Sequence, residues 1–148
     1  MAADCVFCKI RDGQIPSIKL DEDARTLAFM DISPLNAGHC LVVTKSHAAT
    51  LFEAEDEDLA AAIVTARRVA RALRQALAPD GLNMLQANGA AAFQSVPHFH
   101  LHLIPRWADD GKGFDWKPVP GDRDAIAKAA EKVRAALGTL APQGAKSR

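Results

Sequence analysis

The stretch that decides the fold is His98-Phe99-His100-Leu101-His102-Leu103-Ile104-Pro105-Arg106. Histidine and apolar residues alternate, the two-residue period of a β-strand whose side chains point to opposite faces. On a strand the three imidazoles form a row, with neighbours roughly 6–7 Å apart at about 3.3 Å rise per residue. Phe99, Leu101 and Leu103 then face a core. Imidazole is the side chain whose charge changes nearest neutral pH. Three readings follow from the residues: satisfied packing histidines, a metal face built from His-x-His pairs, or nucleophilic and acid–base catalysis. Strict alternation argues against the first.

Working outward, Thr26-Leu-Ala-Phe-Met30 reads as a strand. Asp31 to His39, with Pro34, Asn36 and Gly38, reads as a turn. Cys40-Leu-Val-Val-Thr44 is a second strand. Leu59, Ile63, Ala66, Ala70, Leu73 and Leu77 form one apolar stripe of a long helix. Glu55, Asp56, Glu57 and Asp58 at its start read as a solvated acidic end that suits the helix dipole. Pro79-Asp80-Gly81 stops the helix. Leu82 to Ala87 is a third strand, and small residues 88–92 loop back to the histidines. A second helix runs from Arg123 to Leu137, capped by Asp122 and ended by Gly138, with a stripe of Ile126, Ala130, Val133 and Leu137. Short connections between strands predict an α+β fold on a mainly antiparallel sheet. The expected organisation is a single domain over 1–140 with a disordered tail over 141–148.

Composition narrows the classes. Of 148 residues, 49% are hydrophobic, which excludes a disordered chain. Lys+Arg and Asp+Glu are 18 each, so no net field attracts nucleic acid or an anionic membrane. No apolar run approaches a transmembrane helix, the first residues are not expected to be a signal peptide, and three cysteines do not suggest a disulfide framework. The expectation is a soluble cytoplasmic protein.

The histidine stretch resembles the His-x-His-x-His-x-x signature of the histidine-triad (HIT) family. The resemblance extends through Cys5-Val-Phe-Cys-Lys-Ile10, Ile15-Pro16, Leu27-Ala-Phe-Met-Asp-Ile-Ser-Pro34, Gly38-His39, Lys45-Ser-His47, Gly81-Leu-Asn83 and Gln94-Ser-Val96. It covers about Cys5 to Arg106 and looks like the small hydrolase branch, similar to Hint-type phosphoramidases and bacterial Hit proteins. It implies a five-stranded mainly antiparallel sheet with two helices, paired into a homodimer. It implies hydrolysis at the α-phosphate of purine nucleotide conjugates, adenine above all, through a covalent nucleotidyl-histidine. The chemistry would be phosphoramidase or dinucleoside polyphosphate hydrolase.

The resemblance implies His100 as the nucleophile, its second ring nitrogen held by a backbone carbonyl, and His102 as a phosphate contact. His98 and His39 orient the site. Ser95, with Gln94 in the same region, donates to the leaving group or a phosphoryl oxygen. Asp31 takes the ribose hydroxyls, with a turn cap as its other reading. Ile10, Phe29 and Ile32 flank the purine, and Asn88 lies near ribose or phosphate. No cofactor is expected for catalysis. Cys5-x-x-Cys8 with His47 and His98 matches a structural zinc site of some bacterial relatives; two reduced thiols are the other reading. Two departures bear on the leaving group. Phe93 stands where many relatives have glycine, and the chain after Arg106 differs from animal Hint proteins. A different class, a nucleotide-binding sensor or partner protein with little turnover, remains open. A nucleic-acid repair role would want a basic surface.

Overall fold

The computed structural model describes residues 4–113 and 118–140. The chain divides into two compact units, Met1–Gly111 and Lys112–Arg148. The span 1–140 expected as one domain contains this division, and the expected tail lies outside the described residues. The first unit runs α1 (Val6–Arg11), β1 (Lys19–Glu22), β2 (Thr26–Met30), β3 (Cys40–Thr44), α2 (Asp56–Leu77), β4 (Gly81–Leu85) and β5 (His100–Arg106). A 3₁₀ turn at Ala90–Ala92 precedes β5. The second unit carries α3 (Arg123–Leu137), where the Asp122 carboxylate accepts from the Ala125 amide at 2.8 Å, the expected cap.

The five strands form one sheet in the order β1-β2-β3-β5-β4, antiparallel at every pairing. This is the expected α+β sheet with one helix more than anticipated. The added helix is α1, six residues long, shorter than the window over which helical periodicity shows. β1 also escaped the sequence, because its Lys-Leu-Asp-Glu composition carries charge where strands favour β-branched residues.

Alternation sorts the sheet's side chains into two cores. Ala28, Cys40, Val42, Phe99, Leu101 and Leu103 pack with Ala62, Ala66, Val69 and Leu73 of α2. On the other side Leu27, Phe29, Leu41 and Val43 pack with Cys5, Phe7 and Cys8. β5 pairs with β3 so that His100 stands opposite Val43 and His102 opposite Leu41, which puts both histidines on the α1 side. His98 lies just before the strand rather than in it.

The α2 stripe is rotated from the expected one. The buried line runs Asp58, Ala62, Thr65, Ala66, Val69, Leu73, while Ile63 and Leu77 are exposed. The helix is apolar over a wider arc than one stripe, and small Ala and Thr side chains let it lie close on the sheet. Asp58 is likewise not solvated. It is buried and held by Arg25 at 2.7 Å, an ion pair between the helix start and the β1–β2 turn. No helix among the described residues is long and apolar enough to cross a membrane.

Candidate active site and metal centre

β5 delivers His100 beneath α1, where it is 3% exposed. The edge of the Phe7 ring meets it, with centroids 5.0 Å apart. Its Nδ1 lies 2.6 Å from the carbonyl oxygen of His98. A carbonyl only accepts, so Nδ1 carries the proton and Nε2 the lone pair. Burial lowers the pKa of His100 below 6.5, so the ring is neutral near pH 7. The resemblance implies an acceptor carbonyl of the same strand; here the carbonyl belongs to His98, just before β5.

His102 follows two residues on, its ring 4.8 Å from that of His100. The His102 Nδ1 lies 2.9 Å from Nε2 of His39. The Leu35 amide donates to Nδ1 of His39 at 2.9 Å. That donation fixes the proton of neutral His39 on Nε2, from which it is given to His102 Nδ1. The proton of His102 therefore sits on Nε2. Burial lowers both rings, His102 to about 4, with neighbouring His100 and His39 adding to the effect and Asp31 opposing it.

Asp31 stands beside this pair, its Oδ2 3.4 Å from His39 Nε2 and 3.9 Å from His102 Nδ1. Its Oδ1 accepts from the Ser33 amide at 2.7 Å, the turn-capping role. Ile10 and Phe29 belong to the apolar cluster beneath the histidines. Ile32 is 94% exposed at the neighbouring turn.

His98 faces the other way and is fully buried. Its Nε2 donates to the Thr44 carbonyl at 2.7 Å, which leaves the Nδ1 lone pair free. Nδ1 lies 3.3 Å from Cys5 Sγ, 3.6 Å from Cys8 Sγ and 3.2 Å from His47 Nδ1. His47 Nδ1 is 3.5 Å from Cys8 Sγ. Ligand atoms about 2.0–2.3 Å from one tetrahedral zinc stand at about these separations from each other. The ligand tautomer is right as well: a metal-bound imidazole gives its other N–H to a carbonyl. The donor set Cys5, Cys8, His47, His98 thus fits a tetrahedral cation.

Asp31, His39 and His102 also bring three donor atoms together. Their chemistry differs. The Leu35 amide occupies His39 Nδ1, so Nε2 is protonated and has no lone pair for a metal. This cluster is a hydrogen-bond relay.

The remaining candidates lie on the loop before β5. Gln94 accepts from the Gly89 amide at 2.7 Å and donates to the Ala49 carbonyl at 2.6 Å, so it braces two loops. Asn88 accepts from the Leu51 amide at 2.7 Å and pairs with Gln86, serving the same junction. Ser95 is exposed and lines a cavity with Cys5, His47 and Val96. Among the described residues no hydrogen bond joins Gln94, Asn88 or Ser95 to the side chains of the three histidines of the stretch. Phe93 is 93% exposed in the left-handed region at φ +62, where glycine sits without strain. Reasoning from sequence missed Phe7 and the backbone groups of Thr44 and Leu35. Phe7 carried a signal, the apolar spacing of Val6, Phe7 and Ile10; backbone partners carry none.

Comparison with known proteins bears on the family. The HIT domain profile matches residues 12–109. The chain is 46% identical over 122 residues to Protein hit of Bacillus subtilis, covering 82% of this chain and 84% of that protein. It is 40% identical over 130 residues to the adenosine 5'-monophosphoramidase hnt1 of Schizosaccharomyces pombe, covering 87% and 95%. A zinc-bound histidine triad family protein from Mycobacterium smegmatis superposes with a TM-score of 0.73 at 36% identity, covering 94% of this chain and 99% of that one. With its fold, its alternating histidines and these relatives in agreement, the chain belongs to the HIT domain family.

Proposed function

We propose that this protein is a HIT-type hydrolase that cleaves nucleoside 5'-phosphoramidates, with adenosine conjugates as the favoured substrates. The observation that carries the reading is the proton placement. His100 presents an unprotonated Nε2, held by its Nδ1–H on the His98 carbonyl, beside His102 with a proton on Nε2. A nucleophile and a hydrogen-bond donor side by side suit attack on a phosphorus whose oxygens gain charge. The phosphoramidase relatives support the leaving group.

In the first step His100 Nε2 bonds to the α-phosphorus. The P–N bond breaks, and the amine leaves with a proton from solvent. His102 Nε2–H donates to a phosphoryl oxygen. Water then attacks phosphorus and gives a proton to solvent, the Nε2–P bond breaks with its electron pair returning to Nε2, and nucleoside monophosphate departs. Asp31 accepts from the ribose hydroxyls through Oδ2, while Oδ1 holds the turn. Ile10, Phe29 and Ile32 form the apolar side on which the purine rests. Ser95 donates toward the leaving group, and Gln94 and Asn88 keep its loop in place. The same attack on a dinucleoside polyphosphate would expel a nucleotide instead. Rapid-quench mass spectrometry is expected to find one nucleoside monophosphate on wild type and none on His100→Asn. An adduct that persists in the variant contradicts the assignment.

Cys5, Cys8, His47 and His98 would hold zinc. With four protein ligands the site is closed, and the ion would supply a structural cross-link between α1, the loop after β3 and the entry to β5. Phosphoryl transfer needs no cofactor here, because His102 and the loop donors provide the electrostatics. Pairing of two copies rests on an exposed apolar groove formed by Ile63, Val64, Leu82 and Met84, along α2 and the edge strand β4. Acidic residues at the start of α2 and arginines 67, 71 and 74 further along would oppose one another if two such helices met antiparallel. A net charge of zero supports a small-molecule partner rather than nucleic acid or an anionic membrane.

A further inference from the structure

We propose that the Cys5–Cys8–His47–His98 tetrad is a positioning device for the nucleophile, so that its metal occupancy sets the tautomer and orientation of His100. This rests on reading His100 as the attacking group. Two physical connections join the sites.

The first is His98 itself. Its ring is a tetrad donor, and its carbonyl accepts from His100 Nδ1 at 2.6 Å. That carbonyl lies outside the β5 ladder, which begins at His100. The carbonyl is located by the residue's amide on the Val96 carbonyl at 2.8 Å, by the Phe99 amide of the same peptide on the carbonyl of Ala48, next to His47, at 2.7 Å, and by its ring. The ring in turn is tied to Thr44 on one nitrogen and to the tetrad on the other.

The second connection is α1. Cys5 is its N-cap residue and Cys8 lies within it, and their thiols reach the rings of His98 and His47. Phe7, between them, packs on the ring of His98 at 5.8 Å and on that of His100 at 5.0 Å. Releasing the thiols therefore loosens the ring that covers the nucleophile.

Without a cation the four donors face one another with their lone pairs converging. His98 Nδ1 has no proton to give, because its proton is on Nε2. His47 Nδ1 or a thiol must then supply one, and a single hydrogen bond holds fewer of the four groups than a shared cation does. Loss of the metal changes what fixes His98, and thereby the acceptor that selects the His100 tautomer. Of the residues assigned to the nucleotide, Asp31 and Ile32 are on the β2–β3 turn, away from this linkage, and Ile10 is on α1 itself, so affinity is affected, but less than turnover.

The experiment compares zinc-loaded protein, chelator-treated protein, His47→Ala and His47→Cys, with metal content and circular dichroism recorded for each. The central readout is long-range ¹H–¹⁵N NMR of the His100 ring. Loaded wild type and His47→Cys, which keeps four donors, are expected to show the Nδ1–H tautomer alone. Metal-free protein and His47→Ala are expected to show a tautomer mixture. Their kcat for adenosine 5'-phosphoramidate should fall roughly tenfold, the usual scale for outer-sphere changes, with KM moving less. Unchanged His100 signals after stoichiometric zinc loss, with the fold retained, would overturn the proposal. So would failure to bind zinc, or global unfolding of both metal-depleted forms, which would make the metal purely structural. If no form releases nucleotide, the hydrolase reading fails, while the ring signals still decide the coupling.

Discussion

At the scale of the residue, the function of each histidine is set by which nitrogen is protonated. His100 and His98 have opposite ring nitrogens tied to carbonyls, Nδ1 and Nε2 respectively. One consequently leaves Nε2 unprotonated, as the proposed nucleophile requires, and the other Nδ1, as the proposed metal ligand requires. The alternation was legible in the sequence, as were the histidines themselves. The tautomers were not, because backbone atoms of Leu35, Thr44 and His98 choose them. His39→Ala removes the donor that fixes His102; we expect kcat to drop about 10²-fold, the scale of acid–base contributions. His39→Gln, whose amide can still donate, should recover part of it, and steady-state kinetics of both variants check this. The lowered pKa values of His39 and His102 also make stability depend on pH. The unfolded chain binds protons near 6.5, and folded His102 only near 4. Stability is full above 6.5 and is lost as pH falls from there toward 4. Urea unfolding at pH 7 and pH 5 should show the loss, and His102→Asn should show a smaller one. An equal pH slope in the variant would contradict the burial argument.

At the scale of the element, strands β2, β3 and helices α2 and α3 were readable because pattern, caps and breakers agree. The helix α2 shows where such reading stops. Its ends were found, yet its buried line was partly misplaced, since Ala62, Thr65 and Val69 face the sheet with Ala66 and Leu73 while Ile63 and Leu77 do not. Its C-terminus also holds Ala78 in the left-handed region at φ +46. A β-carbon is disfavoured there by about 1–2 kcal/mol. Ala78→Gly should therefore raise stability by about 0.5–1 kcal/mol, measured by urea titration. The contrasting case is Gly38, at φ +82, where an added β-carbon would collide with Leu77 and crowd Pro105. Gly38→Ala should destabilise by about 1–3 kcal/mol. It should also disturb the adjoining His39, so activity is expected to fall with it.

At the scale of the whole molecule, the sheet separates two tasks. One face buries α2 in an aliphatic core, and the other carries α1, the histidines and the four proposed metal donors. Gathering Cys5, Cys8, His47 and His98 from far-apart positions was expected only through the family resemblance; spacing alone showed half a site. The exposed edge of β4 and the groove beside Ile63 and Val64 lead us to expect a dimer at micromolar concentration. Sedimentation equilibrium of wild type and Val64→Asp, the latter expected as monomer, tests this surface. The central claim is His100-dependent hydrolysis. Its most direct measurement is AMP release from adenosine 5'-phosphoramidate by wild type and His100→Asn, run beside diadenosine tetraphosphate. The account predicts robust wild-type turnover, faster on the phosphoramidate, and loss of about 10³-fold or more in the variant. Equal rates in the two proteins, or nucleotide binding without turnover in wild type, would contradict it and favour a sensor role.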